Sequence, residues 1–155
     1  TFVLYFCFTI AYNIIRTNVL WRRFFVRYLK DDEIQLATQF LFLSMAIVVL
    51  EKDLQQIQSG NFKIKEPYIN LLEKMMSLAI HERKILRKTM KDKQLQVVRL
   101  NKNDSFSSYL FLCKGKEEKR NFFNPTIRKN VQSIIQDLLN RSQQPSLPSS
   151  ISVNA

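Results

Sequence analysis

The longest apolar stretch of the chain covers residues 34–50, seventeen positions without a charge between Glu33 and Glu51. Its strongest hydrophobic positions recur alternately every four and every three residues, the spacing of one face of an α-helix. These positions are Leu36, Phe40, Leu43, Ile47, Leu50, Leu54 and Ile57. Three acids at 31–33 suit the first turn of a helix, where the helix dipole favours negative charge. The pattern predicts a helix from about residue 31 to residue 58.

This helix comes close to the length of a membrane span. Seventeen residues of helix cover about 25 Å, whereas the hydrocarbon core of a bilayer is about 30 Å thick and usually needs about 20 apolar residues. The middle of the helix is apolar nearly all round and its ends are amphipathic, which is typical of the central helix of a bundle. The sequence favours a buried core helix, with a partner-binding or membrane-surface helix as the second interpretation and a true span as the third.

Two more helices follow from the same periodicity. Gly60 suits the left-handed position after the first helix, and Pro67 suits the first residue of the next, because its missing N–H would have no partner there. This second helix is predicted at about 67–95, antiparallel to the first. Asn124 is predicted to be the N-cap of a third helix at about 125–140.

Between these helices the pattern changes to that of β-strands. Residues 96–100 and 105–113 are rich in β-branched and aromatic side chains, and the Asn-Lys-Asn-Asp sequence between them is typical of a turn. The pattern predicts a β-hairpin at about 96–113, followed by a charged surface loop at 114–120. The expected fold class is α+β, mostly α, ordered helix-helix-β-hairpin-helix around the central apolar helix, in a single domain at 26–141.

The N-terminal residues differ from the predicted domain. Residues 1–15 are apolar and the basic residues follow them, an order opposite to that of a secretory signal but compatible with a weak membrane anchor. Arg22 and Arg23 can be encoded by AGG AGG, a bacterial ribosome-binding sequence, at the spacing that initiation requires before a GTG codon for Val26. We hypothesise that translation starts at Val26 and that 1–25 is an untranslated extension. CGN codons for the two arginines would refute this hypothesis.

Composition bears on partners and location more than on fold. The 155-residue chain has 24 Lys and Arg against 13 Asp and Glu, a net charge of +11. Such a charge favours contact with nucleic acid, anionic lipid or an acidic protein, although a solvated basic surface is the simpler interpretation. Two cysteines form no disulfide or metal spacing, so we expect a cytoplasmic protein unless residues 1–15 anchor it to a membrane. The Pro/Ser-rich residues 142–155 are predicted to be disordered.

The sequence offers little catalytic chemistry. His81 begins a motif like the zinc-protease His-Glu-x-x-His, but Ile85 stands where the second histidine would be. Cys113 would need a nearby base to act as a nucleophile, and His81, the one histidine of the chain, lies on a distant predicted element, so a buried inert thiol is favoured. The chain has no Gly-rich phosphate loop and no Gly-x-Ser-x-Gly elbow. We expect no enzymatic activity and no catalytic, metal-binding or cofactor-binding residues.

A basic patch is the first candidate site. It joins the second half of the second helix to the tip of the hairpin, as a winged-helix-like nucleic-acid-binding protein or a binder of another anionic partner would require. Its residues are Arg83, Lys84, Arg87, Lys88, Lys91, Lys93 and Lys102. Nucleic-acid binding is the alternative function rather than the favoured one, because the predicted helices are too long for a compact helix-turn-helix.

An apolar interface on the central helix is the second candidate site. Two helices and a hairpin are expected to cover the central helix only in part, which would leave an apolar area for a partner. Its residues are Phe40, Phe42, Leu43, Ile47 and Leu50. This surface supports the favoured function, a non-enzymatic protein acting by protein–protein interaction and forming a homodimer.

Three segments of the chain resemble the YhjD-like proteins of spore-forming Gram-positive bacteria, a small uncharacterised family. The segments are SGNFKIKEPYINLLEKMM, VVRLNKNDSFSSYLFLCKGKEE and NFFNPTIRKNVQ. The resemblance covers about residues 28–140, and its motifs are structural, since KEPY and FNP each open a predicted helix. It therefore provides no functional residue. It implies a bacterial protein of unknown function, cytoplasmic or sporulation-associated.

Overall fold

The computed structural model describes residues 28–143, which form three helices and a three-stranded sheet. The elements are α1 (Asp31–Ser59), α2 (Glu66–Asp92), β1 (Leu95–Lys102), β2 (Phe106–Cys113), β3 (Lys116–Phe123) and α3 (Asn124–Gln143). The predicted α+β fold, mostly helical and ordered helix-helix-hairpin-helix, is confirmed. The hypotheses about residues 1–25 and the predicted disorder of 144–155 lie outside the described residues, whereas 142 and 143 end α3.

The central helix α1 belongs to two hydrophobic clusters. Its first half packs on the sheet and the end of α2 in a cluster that includes Leu41, Phe42 and Phe111. Its second half packs between α2 and α3 in a cluster that includes Ile47 and Leu50. Although α1 is long and apolar enough to cross a membrane, its central apolar side chains other than Val48 and Val49 are buried or half-buried against the other elements, as predicted for a core helix.

α1 and α2 pack in opposite directions, as predicted. The start of α1 meets the end of α2, where the Lys93 ammonium lies 2.6 Å from the Asp32 carboxylate. Two turns further along α1, the Arg87 guanidinium lies 5.9 Å from the centre of the Phe40 ring, within the range of a cation–π interaction. The connection between the helices is therefore short and lies at the far end of the pair.

Gly60 ends α1 for a reason that differs from the predicted one. Its φ and ψ are −71° and 163°, an extended conformation that corrects the expected left-handed one. A Cβ at this position would lie 2.8 Å from the Gln56 carbonyl oxygen and 2.9 Å from the Phe62 ring, so close approach requires the glycine. The left-handed position occurs instead after α2, at Gln94, whose φ is 55°.

The sheet is an antiparallel meander in the order β1-β2-β3, with β2 in the middle. β2 alternates between buried side chains that face the helices and half-buried or exposed ones on the outer face. A bulge in β1 shifts the register between Arg99 and Asn101. The outer face remains exposed, with Val98, Phe106 and Phe123 between 41% and 47% accessible.

The third strand corrects the predicted surface loop at 114–120. Lys114 and Gly115 have φ values of 50° and 77°, which form a two-residue hairpin turn with both central residues in the left-handed region. β3 then alternates, with Glu118, Arg120 and Phe122 turned toward the helices and half-buried. The sequence does not show this alternation, because the first five residues of β3 are all charged and therefore look alike on both faces of the strand.

Candidate functional site: a groove with a basic rim

An open groove of about 750 Å³ lies where α1, α3 and the β1–β2 end of the sheet meet. Its apolar lining consists of Met45, Val49, Tyr109, Ile127, Val131 and Ile135. Tyr109 and Val131 are buried, so these side chains form the floor. Three exposed cations, Arg99, Lys102 and Arg128, line the same groove, and Asp104 is the one acid among the described residues that do so. The groove is therefore apolar at its base and positively charged at its edge.

The bulge in β1 places Lys102 on the same face of the sheet as Arg99. Arg99 lies opposite Tyr109 on the face of the sheet that packs against the helices. Because side chains alternate along a strand, Lys102 would point to the other face in a regular strand. The extra residue at Leu100 shifts the register, so Lys102 lies opposite the buried Ser107 and faces the helices as well.

Asn124 fixes the β1–β2 turn to the start of α3. Its Nδ2 donates hydrogen bonds to the carbonyl oxygens of Asn103 and Asp104, both at 2.9 Å, and its Oδ1 accepts one from the Ser107 hydroxyl at 2.8 Å. Asn124 was predicted to be the N-cap before a helix that starts at Pro125; it is instead the first residue of α3, and its side chain holds the turn. Arg128, one helical turn further on, is thereby held close to the strand ends.

Asn103 shapes the turn from within. Its side-chain Oδ1 accepts hydrogen bonds from the backbone N–H groups of Ser105 at 3.0 Å and Phe106 at 2.6 Å, a local turn that asparagine commonly forms. The predicted turn at 101–104 is therefore shifted: β1 continues to Lys102, and the turn lies at residues 103–105, before β2 begins at Phe106. Together, the hydrogen bonds of Asn103 and Asn124 hold the turn at the rim of the groove against the start of α3.

The predicted basic patch does not form one surface. Lys84, Arg87, Lys88 and Lys91 lie exposed on α2 and Arg83 is half-buried, so these cations do share one helix. Lys102 lies at the opposite end of β1 from α2, and a strand of eight residues separates its two ends by about 23 Å. Lys93 is paired with Asp32, and the hydrogen bond that its ammonium donates to this carboxylate raises the pKa of Lys93. The helix and the hairpin tip are therefore separate basic surfaces.

The predicted apolar interface lies inside the protein. Phe42, Leu43, Ile47 and Leu50 are between 0% and 7% accessible, and Phe40 is half-buried beneath Arg87. The expectation of a partly covered central helix is corrected, because α2, α3 and the sheet together surround α1. Exposed apolar area on the second half of α1 is found instead at Val48 and Val49, and Val49 lines the groove.

Cys113 lies at the end of β2 and is buried, as predicted. Burial raises the pKa of its thiol, and the neighbouring Glu33 carboxylate raises that pKa further. The sulfur also donates to the Lys93 carbonyl oxygen at 3.4 Å. Glu33 accepts the backbone N–H of Lys30 at 2.9 Å, and this hydrogen bond lowers the pKa of Glu33. A thiol with a raised pKa is a poor nucleophile, so this cluster joins α1 to the sheet structurally.

The groove was not predicted from the sequence. Its residues come from α1, β1 and α3, which are separated by about 50 and 30 residues along the chain, so no local pattern groups them. One signal was present, since Arg99 interrupts an otherwise apolar strand segment. A charge at that position indicates either that the strand ends there or that the side chain reaches a surface outside the core. In the structure β1 continues past Arg99, and Arg99 lines the groove.

Fold and groove together define a small basic α+β protein whose described part carries an open groove with a positively charged edge. The family model described as YhjD protein matches residues 28–143, and the chain belongs to this family, which confirms the resemblance seen in the sequence. A relative in Bacillus subtilis (strain 168), described as uncharacterized protein YhjD, is 29% identical over 107 residues, which cover 69% of this chain and 89% of the relative. No solved structure matches the chain significantly.

Proposed function

We propose that this protein is a non-enzymatic interaction module whose groove binds an acidic amphipathic helix of a partner protein. The observation that carries the proposal is the convergence of Arg99, Lys102 and Arg128 around an apolar floor. A helix that places apolar side chains on one face and carboxylates beside them would satisfy both the floor and the rim, as in other helix-in-groove complexes. Charge at the rim would chiefly set the rate and selectivity of association.

We propose that the acids for this rim come from another molecule. Every acidic residue of the sequence lies between Asp31 and Asp137, so residues 1–27 and residues 144–155 contain no acidic side chain. The acids at 31–33 belong to the opposite end of α1 from Val49, and about 25 Å of helix separates them from the groove. These positions favour an acidic segment of another molecule over the residues of this sequence that flank the domain.

Binding of two synthetic peptides tests the proposal. Both form amphipathic helices with the same apolar face, one with glutamates and the other with lysines beside it, and fluorescence anisotropy measures their affinity for the full chain. The acidic peptide is expected to bind at least tenfold more tightly than the basic one. Equal affinity for the two peptides would contradict the role of the cations.

Charge-reversal variants locate the binding surface. The double variant Arg99→Glu/Arg128→Glu is expected to weaken binding of the acidic peptide at least tenfold, because it reverses two of three rim charges. The matched control Lys84→Glu/Lys88→Glu changes the net charge equally on α2 and should alter the affinity less than twofold. If both variants lose binding equally, the groove is not the site and only net charge matters. The same two double variants are also tested for binding of duplex DNA. If the protein binds nucleic acid through the α2 cations, Lys84→Glu/Lys88→Glu should lose more affinity for DNA than Arg99→Glu/Arg128→Glu.

Three broader expectations accompany this proposal. The cytoplasmic location and the association with sporulation, both implied by the resemblance, are tested by fractionating cells and by following the protein through spore formation. A homodimer would need an interface other than the five residues first considered, because four of them are buried in the core. Analytical ultracentrifugation at tens of micromolar, with and without the acidic peptide, measures the oligomeric state.

A further inference from the structure

The connection between α1 and α2 exposes a compact group of large apolar side chains. Phe62, Ile64 and Tyr68 are 56%, 69% and 56% accessible, although they lie within seven residues of one another. Burying such side chains stabilises a protein or a complex in proportion to the area removed from water. A cluster this exposed at the end of a helix pair is characteristic of a contact surface.

The conformation of this tip is fixed by hydrogen bonds and close packing. The Phe62 ring lies against Gly60, in the space that a Cβ would occupy. The Lys65 ammonium donates to the Gln58 carbonyl oxygen at 2.9 Å, and the Lys65 carbonyl oxygen accepts the N–H groups of Tyr68 and Ile69, both at 3.0 Å. The apolar side chains are therefore held outward in a defined loop.

Shape and charge favour a lipid surface over a protein as the contact. The tip lies at the end of a helix pair, between Ser59 and Glu66, and a planar interface can receive such a projecting loop. Lys63 is exposed between Phe62 and Ile64, where its ammonium could reach lipid phosphates while its neighbours enter the acyl boundary. Residues 28–143 carry 20 Lys and Arg against 13 Asp and Glu, so the described domain as a whole is attracted to an anionic bilayer.

We propose that the loop of Phe62, Lys63 and Ile64, with Tyr68 beside it, is a peripheral binding site for an anionic lipid bilayer. The site is independent of the groove, with which it shares no residue. Binding would bring the groove close to the membrane surface, so a partner would be met there rather than in bulk solution.

A tryptophan placed at the tip tests this proposal. The chain has one tryptophan, Trp21, so the full-length variant Trp21→Phe/Phe62→Trp reports on position 62 alone. Vesicles of phosphatidylglycerol and brominated phosphatidylcholine are expected to quench its fluorescence by about half and shift the emission to shorter wavelength. The control Trp21→Phe/Val98→Trp places the fluorophore on the outer face of the sheet, where no quenching is expected. This control also separates tip insertion from attachment through residues 1–15.

Two further results decide the charge dependence. Lys63→Gln should weaken vesicle binding about fivefold at low salt, since one basic residue near an anionic surface contributes about that factor. Vesicles without phosphatidylglycerol should leave the Phe62→Trp emission unchanged. Unquenched emission at position 62 in a chain that sediments with anionic vesicles, or the absence of any vesicle binding, would overturn the proposal. Equal quenching with and without phosphatidylglycerol would overturn its requirement for anionic lipid.

Discussion

Replacing Asn124 by alanine should destabilise the protein by about 2–3 kcal/mol. The side chain makes three hydrogen bonds that connect α3 to the β1–β2 turn, and each is worth about 1 kcal/mol net. The bond from Ser107 matters most, because Ser107 is only 3% accessible and its hydroxyl would lose its partner in the interior. A change of this size corresponds to a decrease of about 10 °C in Tm for a domain of this length.

Urea unfolding followed by circular dichroism measures this loss, with two variants that sharpen its interpretation. Asn124→Asp keeps the acceptor for Ser107 but replaces the two N–H donors with an oxygen facing the carbonyls of Asn103 and Asp104, so it should cost about 2 kcal/mol. Asn121→Ala removes an exposed hydrogen bond from Ser108 and should cost less than about 0.5 kcal/mol. A loss below about 1 kcal/mol in Asn124→Ala, or wild-type stability in Asn124→Asp, would refute the assigned role.

Two other substitutions have opposite expected signs. Gln94→Gly should stabilise the protein by about 0.5–1 kcal/mol, because a non-glycine residue at a φ of 55° carries a steric cost that glycine lacks; destabilisation in urea would show that the Gln94 side chain matters more than its backbone. Glu33→Gln should cost about 1 kcal/mol at pH 7 by weakening the hydrogen bond from the Lys30 N–H. The pKa of Glu33 is lowered from 4.5, so the carboxylate contributes stability above that pH, and the contribution is lost as the pH falls through the folded-state pKa. The Tm should therefore decrease more steeply between pH 7 and pH 3 in the wild type than in Glu33→Gln. Parallel plots of Tm against pH for the two proteins would contradict this role of the Glu33 carboxylate.

The helices could be predicted closely because their patterns are long. α1 and α3 begin and end within three residues of the predicted bounds, and α2 ends three residues early because Gln94 adopts a left-handed conformation and starts the sheet. β3 was missed for a local reason. Its turn is Lys-Gly rather than Asn-Gly or Asp-Gly, and its first five residues are charged, so neither of the usual hairpin signals was present.

The sites were predicted less well because they depend on packing between distant elements. The apolar sequence of α1 predicts that the helix is buried, but it does not identify the elements that bury it. From the sequence alone, Ile47 could equally have faced a partner protein. Five of the seven basic residues lie on α2 as predicted, Lys93 follows its last residue, and the length of β1 separates Lys102 from the others. The groove depends on the bulge at Leu100, which shifts the pairing of β1 with β2 by one residue. The sequence has no glycine or proline there that would indicate a bulge.

The sharing of α1 by two clusters has a consequence for folding. Ile134 packs against both clusters, so neither the sheet nor the helical bundle has a complete interior without the other. The strands of the sheet pair with their neighbours in sequence, whereas α3 packs on α1 from more than 60 residues away, a slow closure by the usual relation between contact distance and rate. Amide hydrogen exchange in the middle of α1 should thus report global unfolding, and protection of β2 and α3 should disappear together with it.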